Sequence, residues 1–283
     1  MLYSAAVPHA SLRGTTLHYD VAGDGPPVLL IMGFGMRGVG WSPLTERLLP
    51  DHRVAWFDNR GVGESGRTTR GWTMGEFSAD AVALMDELGW DDAHVVGVSM
   101  GGMIAQHLGL DAPERVRSLS LLATTARGKN TTRPDLSTGV ELLRTAFGSR
   151  RARLRALVDL VFSAESIESR GYEALMEEVA PAHGTAPLRE VLAHKRAIER
   201  HDTRARLAEI AAPTLVVQPT ADRMVNPIES TLLASLLPSP RLVAVDGAGH
   251  RVHADRPDVV AEAVRGFVAA HPGGSRDTTR AER

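Results

Sequence analysis

Cysteine is missing from all 283 residues of the chain. Its absence excludes a cysteine nucleophile, a zinc site with cysteine ligands and an iron–sulfur cluster, and it leaves the redox compartment open. Aromatic residues make up only 5% of the chain, so the sequence has no evident stacking platform for a large planar substrate. A formal net charge of −2 excludes the basic field with which proteins attract nucleic acid or anionic lipid.

Long hydrophobic runs are missing too. No stretch reaches the ~18 uncharged apolar residues of a membrane helix, and residues 1–10 lack the charged start and apolar run of a signal peptide. We therefore expect a cytoplasmic protein with no membrane and no nucleic-acid partner. The chain is 43% hydrophobic and 23% charged, an ordinary globular composition, and it is long enough to bury a core without disulfides or metals.

Short β-branched runs alternate with helical patterns along most of the chain. This order predicts an α/β fold, with a mostly parallel sheet and helices on both faces. The predicted strands cover 15–22, 28–32, 52–57, 93–98, 116–123, 213–218 and 241–245. The predicted helices between them cover 41–49, 73–88, 100–110, 227–237 and 257–270. Thr73 and Glu76 have the spacing of a capping box.

The alternation stops between residues 125 and 210, where the sequence favours helix alone. The helical patterns there lie at 138–147, 151–162, 171–179 and 188–200. An all-helical block between strands predicts a cap on the sheet. The predicted division of the chain is a core domain in two parts, 1–124 and 211–271, a helical cap at 125–210, and a disordered polar tail at 272–283.

Residues 97–102 read G-V-S-M-G-G, which contains G-x-S-x-G between a predicted strand and a predicted helix. A strand that turns abruptly into a helix strains the backbone of the serine, and a side chain at Gly97 or Gly101 would collide with its surroundings. The turn raises the Ser99 hydroxyl above the sheet edge, at a helix N-terminus that favours developing negative charge. The motif therefore predicts that Ser99 is a nucleophile in an elbow formed by Gly97 and Gly101.

On these features the chain resembles the α/β-hydrolase superfamily, over roughly residues 14–270. The resemblance implies an eight-stranded α/β-hydrolase sheet, a cap after the sixth strand, and a catalytic triad in the order serine, acid, histidine. His250 is the expected base, because it follows the glycine-rich 247–249 after the last strand, as in the histidine loop of the family. His253 is its nearest competitor.

Asp222 is the expected acid, in a short loop after the strand 213–218, where it would orient the imidazole. Some relatives place the acid after the sixth strand, but residues 122–125 read L-A-T-T and offer no carboxylate there. The chain departs from the family at Pro219, where glycine is usual.

Backbone N–H groups are expected to stabilise the oxyanion that forms in acyl transfer. The expected donors are Met100, directly after the nucleophile, and Phe34, in the loop 32–35. Relatives commonly have His-Gly where this chain has Met32-Gly33, and the Met-Gly variant resembles the anthracycline methylesterase branch. The G-x-S-M-G-G elbow also occurs in enol-lactonases.

Three other features have a structural and a functional interpretation. Residues 58–65 match the family's D-x-R-G-x-G-x-S loop, which we interpret as a structural, charge-stapled turn. An apolar stripe in the predicted cap either lines a substrate pocket or docks the cap, and consists of Leu157, Val161 and Phe162. A cluster of cations next to it is interpreted as a solvated helix face rather than an acid-substrate site, and consists of Arg150, Arg151, Arg153 and Arg155.

Together these features predict a serine hydrolase for small to medium carboxylic esters with an apolar acyl part. No metal and no organic cofactor is expected, and the chain contains neither H-E-x-x-H nor a phosphate loop. Serine at the elbow argues against haloalkane dehalogenase and epoxide hydrolase chemistry. Lactonase, enol-lactonase, C–C hydrolase, thioesterase and cofactor-free perhydrolase activities stay open, as does a ligand-sensing protein with a vestigial site. The expected partner is a small-molecule ester or lactone, and the expected state a monomer or homodimer.

Overall fold

The computed structural model of the protein describes residues 9–67, 72–129, 148–184 and 186–272. Its centre is an eight-stranded sheet with the strand order β1-β2-β4-β3-β5-β6-β7-β8. The strands are β1 (His9–Leu12), β2 (Thr15–Ala22), β3 (Pro27–Ile31), β4 (Arg53–Phe57), β5 (Ala93–Val98), β6 (Val116–Leu122), β7 (Thr214–Pro219) and β8 (Pro240–Val245). β2 pairs antiparallel with β1 and β4, and all other neighbours pair parallel. The predicted mostly parallel sheet is therefore confirmed.

Helices cover both faces of this sheet. They are α1 (Ser42–Leu48), α2 (Met74–Glu87), α3 (Met100–Asp111), α4 (Arg150–Val161), α5 (Ala164–Arg170), α6 (Tyr172–Val179), α7 (Leu188–Arg200), α8 (Ile228–Leu236), α9 (Val252–Asp255) and α10 (Pro257–Ala269). Within the described ranges, none of them has the length and apolarity to span a bilayer.

The central strands are apolar throughout because both faces of the sheet are covered. Successive residues of β3 point to opposite faces. Leu29 and Ile31 belong to one core cluster with Phe77 of α2, whereas Val28 and Leu30 belong to a second cluster with residues of α1 and α10. β5 is buried at every position. The carboxyl ends of these strands are thereby fixed as a rigid edge.

Helices α4–α7 lie between β6 and β7 in the chain, and we call them the helical insertion. The insertion has its own apolar cluster, which includes Leu154, Val158, Leu175 and Val179 and reaches Ala254 of α9. Helix α5, whose N-cap Ser163 accepts from the Ser166 N–H group, was not predicted. The predicted helix 138–147 and the tail beyond residue 272 lie outside the described residues, and the division into core and cap stays a prediction.

Two local predictions concern side chains at loops. Half of the predicted capping box is present, since the Thr73 hydroxyl accepts from the Glu76 N–H group, while the Glu76 carboxylate accepts from Arg13. In the loop 58–65, however, Asp58 and Arg60 bind different elements. Asp58 accepts from backbone N–H groups, Gly38 among them, at 2.7 Å, while Arg60 pairs with Asp80 of α2. The expected charge-stapled turn is thus held at two separate places. Asp58 also accepts the Glu64 N–H group inside the loop, at 3.0 Å, whereas Arg60 pairs with a carboxylate outside it.

Candidate active site

Ser99 connects β5 to α3 in a strained backbone conformation. Its φ is +55° and its ψ is −120°, in a region that residues with a Cβ rarely adopt. The two flanking glycines explain how the chain turns so sharply. A Cβ on Gly97 would lie 2.3 Å from the Gly101 carbonyl oxygen, and one on Gly101 would lie 1.9 Å from the Ile31 carbonyl oxygen. Only glycine fits at either position.

Neighbouring elements hold this strained residue from both sides. The Ser99 N–H group donates to the Leu122 carbonyl of β6 at 2.9 Å, and the Thr124 hydroxyl donates to the Ser99 carbonyl at 2.7 Å. Gly102 and Met103 of α3 also donate their N–H groups to that carbonyl. An unfavourable φ persists only where its surroundings over-determine it, and these hydrogen bonds do so.

The loop after β3 lies directly against Ser99. A Cβ on Gly33 would lie 3.3 Å from Ser99 Cβ and 3.9 Å from its Oγ. The Asn59 side-chain amide also holds this loop, because it donates to the Met32 carbonyl at 2.9 Å. In the described part of the chain, the Phe34 N–H group donates to no backbone carbonyl. Phe34 follows Gly33, so this N–H group, which has no backbone acceptor among the described residues, belongs to the loop that contacts the serine.

Met100, the second expected donor, is the first residue of α3. The first N–H groups of a helix have no acceptor inside the helix, and they carry the positive end of its dipole. The start of α3 and the loop after β3 both contact Ser99, which is the arrangement that the predicted oxyanion hole requires. The assignment of Phe34 and Met100 as an oxyanion hole stays a prediction.

His250 and Asp222 meet as a hydrogen-bonded pair. The distance from His250 Nδ1 to Asp222 Oδ2 is 2.7 Å. The other oxygen of Asp222 accepts the N–H groups of Met224 and Val225, at 2.7 and 2.9 Å, which fixes the carboxylate plane. With a carboxylate at Nδ1, the imidazole proton is assigned to Nδ1, which leaves Nε2 as the acceptor.

The competing histidine has a different environment. His253 is only 1% exposed, and its ring centroid lies 4.4 Å from that of Trp41. Burial lowers the pKa of His253 well below the usual value for histidine, so the ring is neutral and packs as a core residue. It is His250, and not His253, that contacts the acid.

The three predicted residues follow β5, β7 and β8, whose carboxyl ends lie at one edge of the parallel sheet. Within the described residues, hydrogen bonding joins His250 to Asp222 but does not join the Ser99 hydroxyl to His250. Catalytic hydrogen bonds are often long in unliganded enzymes and tighten when substrate binds. The action of the three as a triad stays a prediction.

The predicted substrate-contacting stripe is largely packed inside the insertion. Val161 and Phe162 are buried in the apolar cluster of the insertion, with Leu157 packed against it half-buried. The Arg251 guanidinium lies 5.4 Å from the centroid of the Phe162 ring. These contacts favour the interpretation in which the stripe docks the predicted cap instead of lining a substrate pocket. Contact of Leu157, Val161 and Phe162 with substrate stays a prediction.

Sequence reasoning missed Asp255, a buried carboxylate five residues after His250. One of its oxygens accepts the Gly249 N–H group at 2.8 Å. The only signal in the sequence was an acidic residue close to Pro257 in the segment after the histidine. In the ranges that the structure describes, no group of three histidine, aspartate or glutamate side chains is arranged to hold a metal ion.

Comparison with known proteins identifies the family. A family model described as "alpha/beta hydrolase fold" matches residues 26–257. The chain belongs to the α/β-hydrolase fold family. It is 33% identical over 262 residues to the "Putative carbamate hydrolase RutD" of Azorhizobium caulinodans, covering 92% of this chain and 98% of the relative. It is 30% identical over 261 residues to the pimeloyl-[acyl-carrier protein] methyl ester esterase of Xanthomonas campestris pv. campestris, covering 90% and 100%.

A solved structure of this α/β hydrolase family gives the same architecture. The enol-lactonase from Burkholderia xenovorans LB400 superposes with a TM-score of 0.78 at 25% identity, covering 93% of this chain and 100% of that chain. These relatives and the family model make this protein a hydrolase of the α/β type.

Proposed function

We propose that this α/β hydrolase is a serine hydrolase of carboxylic esters, with small to medium substrates that carry an apolar acyl part. The proposal rests above all on Ser99, a serine at φ +55° that its neighbours hold at the start of a helix. A protein retains such strain where it serves a function. The hydrogen-bonded pair His250 and Asp222, at the same edge of the sheet, supports it.

In the proposed reaction the Ser99 hydroxyl attacks the ester carbonyl carbon while His250 Nε2 takes its proton. Asp222 keeps the imidazole oriented and stabilises its charged form. The N–H groups of Phe34 and Met100 hold the oxyanion of the tetrahedral intermediate. The imidazolium then protonates the departing alcohol, and a water molecule, activated by His250, hydrolyses the acyl-enzyme.

The relatives support a reaction at an acyl carbon. Their names refer to a carbamate, a methyl ester and an enol lactone, and each of these has a carbonyl carbon bonded to a leaving heteroatom. In this proposal residues 125–210 form a cap over the site, between the core parts 1–124 and 211–271. We further propose a cytoplasmic protein that acts on a small molecule without a cofactor.

A lactone is the second candidate substrate. The G-x-S-M-G-G elbow at 97–102 and the enol-lactonase structure favour it specifically. In a lactone the leaving oxygen stays attached to the acyl group, so the same residues would perform the same steps. A cap pocket that fits a ring instead of an open chain would distinguish the two.

The decisive experiment measures turnover of the purified protein on p-nitrophenyl esters of increasing acyl length and on a matched lactone series. We expect many turnovers per molecule, and Ser99→Ala should remove at least about 10³-fold of kcat while the fold stays intact. Ser235→Ala, an exposed serine on α8, is the matched control and should change nothing. Stoichiometric release without cycling would favour a sensor, and an active Ser99→Ala variant would contradict the proposal.

A further inference from the structure

The loop that carries His250 begins at an exposed edge of the sheet. Among the described strands, β8 is the last in the order and pairs with β7 alone. Three of its six residues are exposed, and only Val245 at its end is buried. On its outer side this loop therefore has no neighbouring strand of the described sheet to pack against. Other contacts have to hold it in place.

Those contacts come from residues 159–166 of the helical insertion, which we call the α4–α5 corner. The Arg251 N–H group donates to the Val161 carbonyl at 3.0 Å. On the other side of His250, a Cβ on Gly249 would lie 2.8 Å from both Val161 O and Phe162 C, so the two backbones touch. Both neighbours of His250 in the chain thus rest on the corner.

The acid loop contacts the same corner. Arg223, which follows Asp222, donates from Nη1 to the Asp159 carbonyl at 2.8 Å. The α4–α5 corner thus contacts the residues next to His250 and next to Asp222. It acts as a common reference for the two loops, which lie 28 residues apart in sequence.

Asp255 ties the corner to the histidine loop through its side chain. Its Oδ2 accepts the Gly249 N–H group at 2.8 Å. Its Oδ1 accepts the Ser163 N–H group at 3.3 Å and the Ser163 hydroxyl at 3.1 Å. The side chain has no exposed surface. One buried carboxylate therefore bridges the residue before His250 and the N-cap of α5.

We propose that Asp255 is a positioning residue for the proposed base, and that it holds the His250 imidazole in register with Asp222 by bridging Gly249 to the α4–α5 corner. The proposal rests on the proposed function, in which His250 moves the proton. Asp255 touches neither substrate nor reacting atoms in this scheme. It acts through the backbone on the N-terminal side of His250.

A carboxylate is required at this position because its three hydrogen-bond partners are all donors, and the Arg256 guanidinium also lies 3.7 Å from its Oδ2. Asparagine has nearly the same shape, but its side chain ends in one oxygen and one NH₂ group. The NH₂ group would face an N–H donor here instead of an acceptor. Asp255→Asn therefore sets a donor against either the Gly249 or the Ser163 N–H group. The two facing donors would move apart, because a buried polar group without a hydrogen-bond partner costs free energy.

The test compares Asp255→Asn with Ser166→Ala. The first measurement is steady-state kinetics on p-nitrophenyl butyrate. Ser166 is a buried residue in the same corner. Its hydroxyl accepts from Arg256 at 2.8 Å and donates weakly, at 3.5 Å, to the Asp255 backbone carbonyl, but it does not bond the Asp255 carboxylate. For Asp255→Asn we expect kcat to fall by about 10²-fold, as for a misplaced catalytic group, with KM within about twofold. Ser166→Ala should keep kcat, even if both variants lose the same stability. Equal kcat values for the two variants would overturn the proposal.

A second readout does not depend on activity. The proton between His250 Nδ1 and Asp222 gives a downfield NMR resonance, assigned by its loss in His250→Gln. It should be present in Ser166→Ala and lost to exchange in Asp255→Asn, whereas an unchanged resonance would contradict positioning. If the wild-type protein hydrolysed no ester, the proposed function would fail while this resonance still tested the role of Asp255.

Two further variants cover the case in which Asp255→Asn does not fold. Ser163→Ala removes one donor to Asp255 and leaves the Ser163 N–H group in place, so kcat should fall about fivefold at constant KM, the size of one hydrogen bond. Asp255→Glu keeps the carboxylate and should recover part of the kcat. A Ser163→Ala variant with the kcat and resonance of Ser166→Ala would rule the proposal out.

Discussion

Ser99 and His250 lie at the same edge of one sheet, yet the protein holds them by different means. Ser99 stands between β5, buried along its whole length, and α3, with the backbone of β3 in contact at Gly101. His250 follows β8, a strand with an exposed outer side. At the serine, backbone atoms touch backbone atoms of the core. At the histidine, the corner of an insertion and one side chain, Asp255, supply the contacts.

This difference separates two sources of rigidity. Close packing in the centre of the sheet fixes the proposed nucleophile through residues that are near it in sequence or in adjacent strands. The loops of the proposed base and acid depend on hydrogen bonds to the helical insertion, which can rearrange without disturbing the sheet. We therefore expect changes at the elbow glycines to reduce stability and changes at the two loops to reduce activity.

The largest expected effect tests the loop side of this comparison. Asp222→Asn keeps the shape of the residue but offers His250 Nδ1 an amide, which favours the wrong imidazole tautomer, and kcat should fall on the order of 10⁴-fold. The thermal unfolding midpoint should stay close to the wild-type value. A loss in kcat below about tenfold would identify a different acid.

The next effect tests the elbow side. Gly101→Ala places a Cβ 1.9 Å from a backbone oxygen of β3 that cannot move aside, and we expect the free energy of unfolding to fall by roughly 3 kcal/mol or more. Gly266→Ala in α10 is the matched control, because a Cβ there meets nothing within 4 Å. Denaturant unfolding of both variants measures the difference. Equal stabilities would mean that the elbow is looser than described.

The smallest effect concerns pH and the opposite end of β5. Burial, together with the charge of Arg117, lowers the pKa of His94 from 6.5 to about 4. The unfolded chain then binds the proton more tightly than the folded protein, so stability is lost as the pH falls from about 6.5 towards 4. Between pH 7 and 5 the loss from this group should be on the order of 1 kcal/mol. His94→Asn should flatten that slope in unfolding experiments, and an unaltered slope would assign the acid sensitivity to other groups.

The central features of the fold were predictable from sequence because they are coded locally. The continuous apolar runs of β3 and β5, the N-cap at Thr73 and the glycines around Ser99 each report a constraint within a few residues. Strand and helix boundaries in the core accordingly agree to within a few residues. The mostly parallel sheet followed from the same alternation of patterns.

The remaining features depend on partners far away in sequence. β1 (His9–Leu12) is a strand because β2 pairs with it, and its four residues carry no pattern of their own. Asp255 bonds Ser163, 92 residues earlier, and Arg60 bonds Asp80 instead of its neighbour Asp58. No spacing rule links such pairs. The candidate nucleophile could therefore be selected from the sequence, whereas the support of the candidate base could not.

The contact of Gly249 with the α4–α5 corner bears on how modular such an enzyme is. Designers who exchange insertions between related scaffolds treat the segment between two strands as a removable part that sets substrate choice. In this protein a chimera cut at the ends of β6 and β7 would also discard the surface on which the histidine loop is seated. A chimera therefore has to keep residues 159–166 together with the scaffold that carries the histidine loop. Otherwise the turn at 249 has to be redesigned so that it is stable without them.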